Sequence, residues 1–299
     1  MKPGKFAMNP SPIPAPSRRS FLKASLAAAA AGCLLRPTRA FADVSGITFG
    51  VQLFMLRRQA QTDLAGVFRT IHDAGFPQVE LYPIAYSHSA AEIRRMMQDA
   101  GIGAVAGHFD YAGLEDKIDF AHQLGLTYVV CPMIPKDQWA SLDGFGKAAD
   151  LFNRAGRQAQ SQGMEFVFHN HCYEFRPIDG TTGFAHLMQH TDPALVKLEF
   201  DIYWLTQGGQ DPMAMLKKHA DRVRLIHLKD RLAGAQTGYT TDPPQYFTEL
   251  GKGTIDWPAL LAQARAEGIK YAFVDQDETA LPIPQSLSVN RAYLRKLNL

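Results

Sequence analysis

Short apolar runs alternate with amphipathic helical segments along most of the chain. The predicted strands are residues 47–53, 78–82, 103–108, 126–131, 164–169, 196–201, 223–228 and 270–275. The predicted helices are residues 62–74, 89–100, 112–124, 143–162, 181–190, 211–220, 257–267 and 285–297. Nearly continuous apolar runs are typical of parallel strands that are buried on both faces. Eight strict strand–helix alternations predict an α/β fold, a (β/α)8 TIM barrel, more readily than an open sheet.

Polar clusters follow the last four predicted strands. Since side chains alternate along a strand, residues two apart share a face. The pairs that share a face are His169 with His171, Glu199 with Asp201, His227 with Lys229, and Asp275 with Asp277. In a barrel the carboxyl ends of all strands meet at one mouth, so we expect these side chains to form one site.

Imidazole and carboxylate groups without thiolates suit a divalent ion such as Mn, Zn, Co, Fe or Mg. Each residue also has a structural interpretation. Asp201 would cap the following turn, His227 would be a core histidine, and Asp275 would be a surface turn residue. Glu174 is either an acid/base group or a salt-bridged loop residue, and Lys229 either orients a substrate oxygen or pairs with the next residue.

Three further polar residues lie at the ends of strands 1 to 3. They are Gln52, Glu80 and His108, and each would either line the pocket or fill the barrel. The longest connection without predicted structure is about residues 229–256, which follows strand 7 on the face where barrels carry their sites.

The N-terminal segment has the pattern of an export signal. Arg18 and Arg19 precede an apolar, Ala-rich stretch, and residues 40–42 form a small-x-small cleavage site. These features predict a twin-arginine signal peptide over residues 1–42, a single domain over residues 43–299, and a periplasmic location. A disordered basic tail is the plainer alternative, and a lipid anchor on Cys33 is a second processing option.

Removing this segment reverses the charge balance. It holds seven of the 31 Lys and Arg residues and no acidic residue, so 24 basic residues remain against 29 acidic ones, a net charge of −5. This charge disfavours binding to nucleic acid. Cys131 and Cys172 remain in the mature chain, either as a disulfide or as two free thiols.

Seven stretches together resemble the sugar phosphate isomerase/epimerase family, which has a xylose isomerase-like barrel, over about residues 46–299. They are Gly50–Arg57, Val79–Tyr82, His169–Phe175, Phe200–Gly209, His227–Asp230, Leu250–Pro258 and Val274–Glu278. The resemblance implies one divalent ion (Mn, Mg, Co or Zn) held by Glu, Asp, His and Glu from strands 5 to 8.

The implied metal ligands are carried over position by position. Asp201 and His227 match the family pattern directly, whereas His169 and Asp275 stand where the family has Glu. Trp204 stands where some relatives have a His that contributes to the site. The endonuclease IV relatives need a larger set of metal-binding residues, which is not found in this sequence.

The residues and the resemblance together predict an exported isomerase, epimerase or lyase that removes a proton next to a sugar carbonyl with the help of a metal ion. The expected partners are a non-phosphorylated sugar-like substrate and the export machinery, without nucleic acid; the oligomeric state stays open. The assigned residues are His171, Glu174 and Lys229 for catalysis, Gln52, Glu80, His108 and Trp204 for substrate, and His169, Asp201, His227 and Asp275 for metal. A non-catalytic carbohydrate-binding protein on the same barrel is the main alternative, and a phosphodiesterase or endonuclease is disfavoured.

Overall fold

A computed structural model describes residues 46–242 and 245–297 of the chain. The predicted signal peptide, its cleavage site at residues 40–42 and Cys33 therefore lie outside the described residues. Within the described ranges, no helix is both long enough and apolar enough to cross a membrane.

Eight parallel strands form one sheet. They are β1 Thr48–Gln52, β2 Gln78–Glu80, β3 Ala106–His108, β4 Tyr128–Cys131, β5 Glu165–His169, β6 Val196–Asp201, β7 Val223–Leu228 and β8 Tyr271–Val274. Their order is β2-β1-β8-β7-β6-β5-β4-β3. Between β2 and β3, Leu81 N donates to Ala106 O at 3.0 Å and His108 N donates to Leu81 O at 2.8 Å. These bonds bring the two ends of the sheet together, and the predicted barrel is confirmed.

Helices cover the outside of the sheet between successive strands. Their bounds are Arg57–Ala60, Leu64–Asp73, Ala90–Ala100, Ile118–Leu124, Leu142–Ser161, Gly183–His190, Ile202–Gln207, Pro212–Lys218, Trp257–Ala266 and Ile283–Lys296. Eight of them match predicted helices. Arg57–Ala60 and Ile202–Gln207 were not predicted, because helices this short show too little of the 3.6-residue apolar period.

An apolar layer fills the barrel below the polar strand ends. It consists of Ala106, Val130, Val167, Leu225 and Phe273, all fully buried. Most of these residues precede a polar strand-end residue by two positions, so the period of the strand places both in the barrel interior. Gly50 makes room for the Phe273 ring, since a Cβ at this position would lie 2.6 Å from it. The apolar layer therefore forms a packed floor under the polar mouth.

The long connection after β7 is more ordered than the sequence predicted. Asp230–Arg231 pairs antiparallel with Phe247–Thr248. The buried Asp230 carboxylate accepts four backbone N–H groups, from Arg231 and Ile255 at 2.8 and 3.3 Å and from Gly251 and Gly253 at 2.9 and 3.1 Å. A single carboxylate therefore ties residues 251–255 to the end of β7.

Cys131 and Cys172 are both buried, and neither forms a disulfide in the described part of the chain. Cys131 lies at the end of β4, and Cys172 lies in the segment after β5. The structure thus selects two free thiols from the two alternatives that the sequence left open.

Candidate functional site

Polar side chains form two layers in the mouth of the barrel. The inner layer is buried and consists of Gln52, Glu80, His108, His169 and Glu199. The outer layer lies further toward the carboxyl ends of the strands and consists of His171, Asp201, Lys229, Asp275 and Asp277. His227 of β7 is fully buried between them and contacts the inner layer through Nε2 and the outer layer through Nδ1.

Contacts in the inner layer centre on two carboxylates. Glu199 Oε2 lies 3.0 Å from both His108 Nε2 and His169 Nδ1, and 3.2 Å from His227 Nε2. Glu80 Oε2 lies 2.6 Å from His227 Nε2 and accepts from Gln52 Nε2 at 2.7 Å. Among the described residues, Oε1 of Glu80 and Oε1 of Glu199 have no hydrogen-bond partner. Each buried carboxylate therefore has one unused oxygen.

The outer layer is organised around the Lys229 ammonium. Lys229 Nζ lies 2.8 Å from Asp275 Oδ2, 2.8 Å from Asp277 Oδ1 and 3.2 Å from Asp201 Oδ2. His227 Nδ1 lies 3.2 Å from Asp275 Oδ2. The lysine thus pairs with carboxylates of β6 and of the segment after β8, rather than with Asp230 as one interpretation of the sequence proposed.

Burial and mutual contact shift the pKa values of the inner layer in opposite directions. Burial, with the Glu199 charge, raises the pKa of Glu80 to about 7. Burial also disfavours ionised Glu199, but His227, His108 and His169 outweigh it and hold its pKa well below the usual value. Burial disfavours protonated His227, yet Glu199 and Glu80 outweigh burial and raise the pKa of His227 well above its usual value. Burial and the His227 charge lower the pKa of His169 to about 3. Near neutral pH the layer therefore combines ionised Glu199, protonated His227 and neutral His169.

The outer layer carries a fixed positive charge. Burial opposes the charge on Lys229, but Asp201, Asp275 and Asp277 outweigh it and raise the pKa of the lysine well above its usual value. Burial also raises the pKa of Asp277, to about 7, whereas Lys229 and His227 overcome the effect of burial on Asp275 and hold its pKa well below normal. The ammonium is therefore a permanent cation in the mouth at neutral pH.

Of the imidazoles in the site, His171 has the properties that best suit a general base. Its ring lies 5.0 Å from the His169 ring and 5.2 Å from the Trp204 ring. Burial, followed by the effects of His169 and Lys229, lowers its pKa well below the usual value. Its Nδ1 is buried and has no hydrogen-bond partner within residues 46–242 and 245–297. When the neutral ring carries its proton on Nε2, Nδ1 is a proton acceptor.

Glu174 holds the segment that carries His171. Both of its carboxylate oxygens accept the backbone N–H of His171, at 3.1 and 3.0 Å, and its side chain is fully buried. Burial raises the pKa of Glu174 to about 8. The ring of the neighbouring Tyr173 stacks on that of Trp139, with centroids 3.7 Å apart. The contacts of Glu174 are thus those of a positioning residue, and its predicted acid/base role stays a prediction.

Aromatic rings form one wall of the outer layer. Trp204 lies in the first turn of the helix Ile202–Gln207, where its backbone N–H donates to Asp201 Oδ1 at 2.9 Å. Lys229 Nζ lies 5.4 Å from the Trp204 ring centroid and 5.1 Å from the Phe247 ring centroid. Phe247 was not among the predicted site residues, because the partner strand in the loop was not expected.

The predicted metal ligands fall into two groups that share His227. His169 lies with His108, Glu199 and His227, whereas Asp201 and Asp275 lie with His227; the ligand atoms of each group are within 4.8 Å of one another. Oδ2 of Asp201 and Oδ1 of Asp275 also have no hydrogen-bond partner in the described part of the chain. Imidazole nitrogens and unused carboxylate oxygens suit a divalent ion, so the residues fit the implied group. The ligand assignment itself stays a prediction.

Sequence reasoning did not assign a role to Glu199, although its Oε2 contacts three imidazoles in the barrel. The alternation of strand residues placed it on the same face as Asp201. That signal alone did not show that three imidazoles from other strands would reach it, at 3.0 to 3.2 Å.

Known proteins share this architecture. The model of the xylose isomerase-like TIM barrel family matches residues 68–275, and the twin-arginine translocation signal model matches residues 15–34, which supports export. An inosose dehydratase from Clostridium beijerinckii is 31% identical over 183 residues, covering 53% of this chain and 61% of that protein. The match thus spans about three fifths of the curated relative.

Solved structures give the same result for the fold. A sugar phosphate isomerase/epimerase from Parabacteroides distasonis is 22% identical with a TM-score of 0.68, covering 83% of this chain and 97% of that one. The IolI protein with a bound zinc atom is 13% identical with a TM-score of 0.67, covering 84% of this chain and 98% of that one. At these identities the likeness shows a shared fold.

Proposed function

The chain belongs to the xylose isomerase-like TIM barrel family, and we propose that it is a periplasmic, metal-dependent isomerase, epimerase or lyase of sugar-like carbonyl compounds. One observation carries the proposal: the barrel mouth combines the His171 ring, whose Nδ1 has no hydrogen-bond partner among the described residues, with the buried ammonium of Lys229 and with carboxylates around His227. Such a combination suits removal of a proton next to a carbonyl group.

The chain's own residues supply the base and a fixed charge. His171 Nδ1 would accept the proton from the carbon next to the carbonyl, since its low pKa keeps the ring neutral. Lys229 would face the oxygen on which negative charge develops, and its carboxylate partners hold the ammonium in place before substrate binds. A positioned general base contributes about 10²- to 10⁴-fold in rate.

A divalent ion held at His227 would supply further positive charge for a substrate oxygen. Mn, Mg, Co and Zn are the ions that this set of imidazole and carboxylate donors suits. The zinc bound to the IolI protein is consistent with this choice, although the identity of the ion in this chain is a proposal.

We infer a non-phosphorylated keto-sugar, keto-glycoside or keto-cyclitol as the substrate class. The inosose dehydratase relative supports a carbonyl compound of this kind and elimination as one outcome of the reaction. The export signal supports the same choice, because sugar phosphates are chiefly intracellular metabolites. The half-buried Phe247 ring, which packs edge to face against the buried Trp204 ring at 5.9 Å, would offer an apolar surface for the carbon–hydrogen face of a sugar ring.

Proton exchange tests this function directly. The purified protein, supplied in turn with each of the four ions, is incubated in deuterated water with a panel of ketoses, keto-glycosides and keto-cyclitols, and NMR follows solvent deuterium at the carbon next to the carbonyl. We expect exchange with at least one compound, a loss of about 10²- to 10⁴-fold in His171→Gln, and no loss in His122→Gln, which changes an exposed histidine on an outer helix. Saturable sugar binding without exchange under any ion would refute the enzyme and favour the carbohydrate-binding protein.

A further inference from the structure

Three imidazole nitrogens from different strands converge on a single carboxylate oxygen. Glu199 Oε2 lies 3.0 Å from His108 Nε2, 3.0 Å from His169 Nδ1 and 3.2 Å from His227 Nε2. All four side chains are at least 95% buried, with exposures of 4%, 2%, 0% and 0% for His108, His169, Glu199 and His227. Glu80 Oε2 approaches the same place, 2.6 Å from His227 and 3.4 Å from His108.

Hydrogen bonding alone gives a poor account of this arrangement. A carboxylate oxygen has two lone pairs, so three N–H donors are more than one oxygen accommodates well. The other oxygen of the same carboxylate, Glu199 Oε1, has no hydrogen-bond partner among the described residues, and neither has Glu80 Oε1. Buried polar atoms are seldom left unpaired, and a group of them calls for a missing partner such as an ion.

The spacing of the donor atoms matches that of ligands around one ion. Ligands about 2.0–2.1 Å from a tetrahedral zinc are separated by about 3.3 Å from one another. The contacts of Glu199 Oε2 with the three nitrogens are 3.0 to 3.2 Å, so a small outward movement of the side chains would admit an ion. We propose that His108, His169, Glu199 and His227 form the divalent-metal site of this protein, with His227 bound through Nε2.

The surroundings of this inner group are those of a supported metal site. His227 Nδ1 contacts Asp275 Oδ2 at 3.2 Å, which would fix the ring with Nε2 directed at the ion. Gln52 holds Glu80 at 2.7 Å beside the group. The alternative outer group of Asp201, His227 and Asp275 already contains a cation, because Lys229 Nζ lies 3.2 and 2.8 Å from its two carboxylates.

This assignment differs from the ligand set that the sequence predicted. It keeps His169 and His227, replaces Asp201 by Glu199 two residues earlier on β6, and makes Asp275 a partner of His227 instead of a ligand. A carboxylate from β6 thereby compensates for the histidine that stands in place of the family's Glu on strand 5. The inference rests on the proposed function for the catalytic role of the ion, but the binding of the ion is independent of it.

Metal binding and spectroscopy test the assignment without an activity assay. The mature protein is stripped with a chelator and titrated with Zn²⁺ by calorimetry and with Co²⁺ by absorption. We expect Glu199→Gln and His108→Gln to weaken binding by at least about 100-fold, because each removes a ligand. Asp201→Asn, which alters the outer group alone, should weaken it less than about fivefold. Loss of binding in Asp201→Asn with binding retained in Glu199→Gln would overturn the assignment.

X-ray absorption spectroscopy of the Zn²⁺-loaded wild-type protein gives a second measurement that does not depend on how any variant folds. The inner group provides three imidazole ligands, whereas the outer group provides one. Three imidazoles support the assignment. Two imidazoles (the number in the set predicted from the sequence), one imidazole, or failure of the wild type to bind either ion overturns it. Since the exchange experiment with sugars is separate, the inner group can bind metal even when no sugar on the panel reacts.

Discussion

Replacing Lys229 by methionine should destabilise the fold strongly, because the ammonium is the shared partner of three carboxylates. Its Nζ lies 2.8 Å from Asp275, 2.8 Å from Asp277 and 3.2 Å from Asp201, and the lysine is 1% exposed. Methionine fills a similar volume but removes the ammonium, so Asp277 loses this partner, and Asp201 and Asp275 retain contacts with His227 Nδ1 at 3.9 and 3.2 Å. Breaking a buried ion pair in this way costs about 3–5 kcal/mol. We expect a loss of this size in the free energy of unfolding at pH 8.

The loss should depend on pH in a defined direction. Without the ammonium, the folded state raises the pKa values of the remaining carboxylates above those of the unfolded chain. The folded state then binds more protons, so the penalty is greatest at high pH and shrinks as the pH falls toward 5. Urea unfolding at pH 8 and pH 5.5, followed by tryptophan fluorescence in the presence of a chelator, measures the loss in the free energy of unfolding and its change with pH.

Lys147→Met is the matched control. Lys147 Nζ also lies 2.8 Å from a carboxylate, that of Asp143, but its side chain is 67% exposed. Solvent screens such an exposed pair, so Lys147→Met should leave the free energy of unfolding nearly unchanged. If Lys229→Met costs less than about 1 kcal/mol at pH 8, or no more than Lys147→Met, the view of Lys229 as the organising charge of the outer layer is wrong.

Two further predictions concern groups around the site. Because burial raises the pKa of Glu174 from its ordinary value of 4.5 to about 8 in the fold, the free energy of unfolding should fall as the pH rises from about 5 to 8. Glu174→Gln should flatten this pH dependence of the free energy of unfolding, measured by urea titrations. If the variant shows the same pH dependence as the wild type, the raised pKa of Glu174 is contradicted. Asp230→Asn should cost about 2–4 kcal/mol and speed amide exchange in residues 251–255, since an amide cannot accept all four N–H groups. Asp256→Asn, at an exposed helix cap, should cost no more than about 1 kcal/mol; equal losses in both variants would refute the prediction.

The fold was largely predictable because its signals are local. Each strand and each longer helix shows its own apolar period. The alternation of β7 and β8 puts Leu225 and Phe273 on the same faces as His227 and Asp275, which agrees with their position in the barrel. Two short elements were not predicted, since elements of two to six residues carry almost no periodic signal. They are the helix Ile202–Gln207 and the antiparallel pair of Asp230–Arg231 with Phe247–Thr248.

Strand periodicity alone identifies the residues that reach the mouth of the barrel, because the two-residue period of a strand decides which side chains point inward. Which of these residues contact one another depends on the folded barrel. His227 contacts Glu80 across 147 residues of chain, and His108 contacts Glu199 across 91. Such contacts depend on the tilt and register of strands around the closed barrel and on side-chain rotamers, which no local pattern specifies. For that physical reason the polar residues were found from the sequence, whereas their division into an inner and an outer layer around His227 was not.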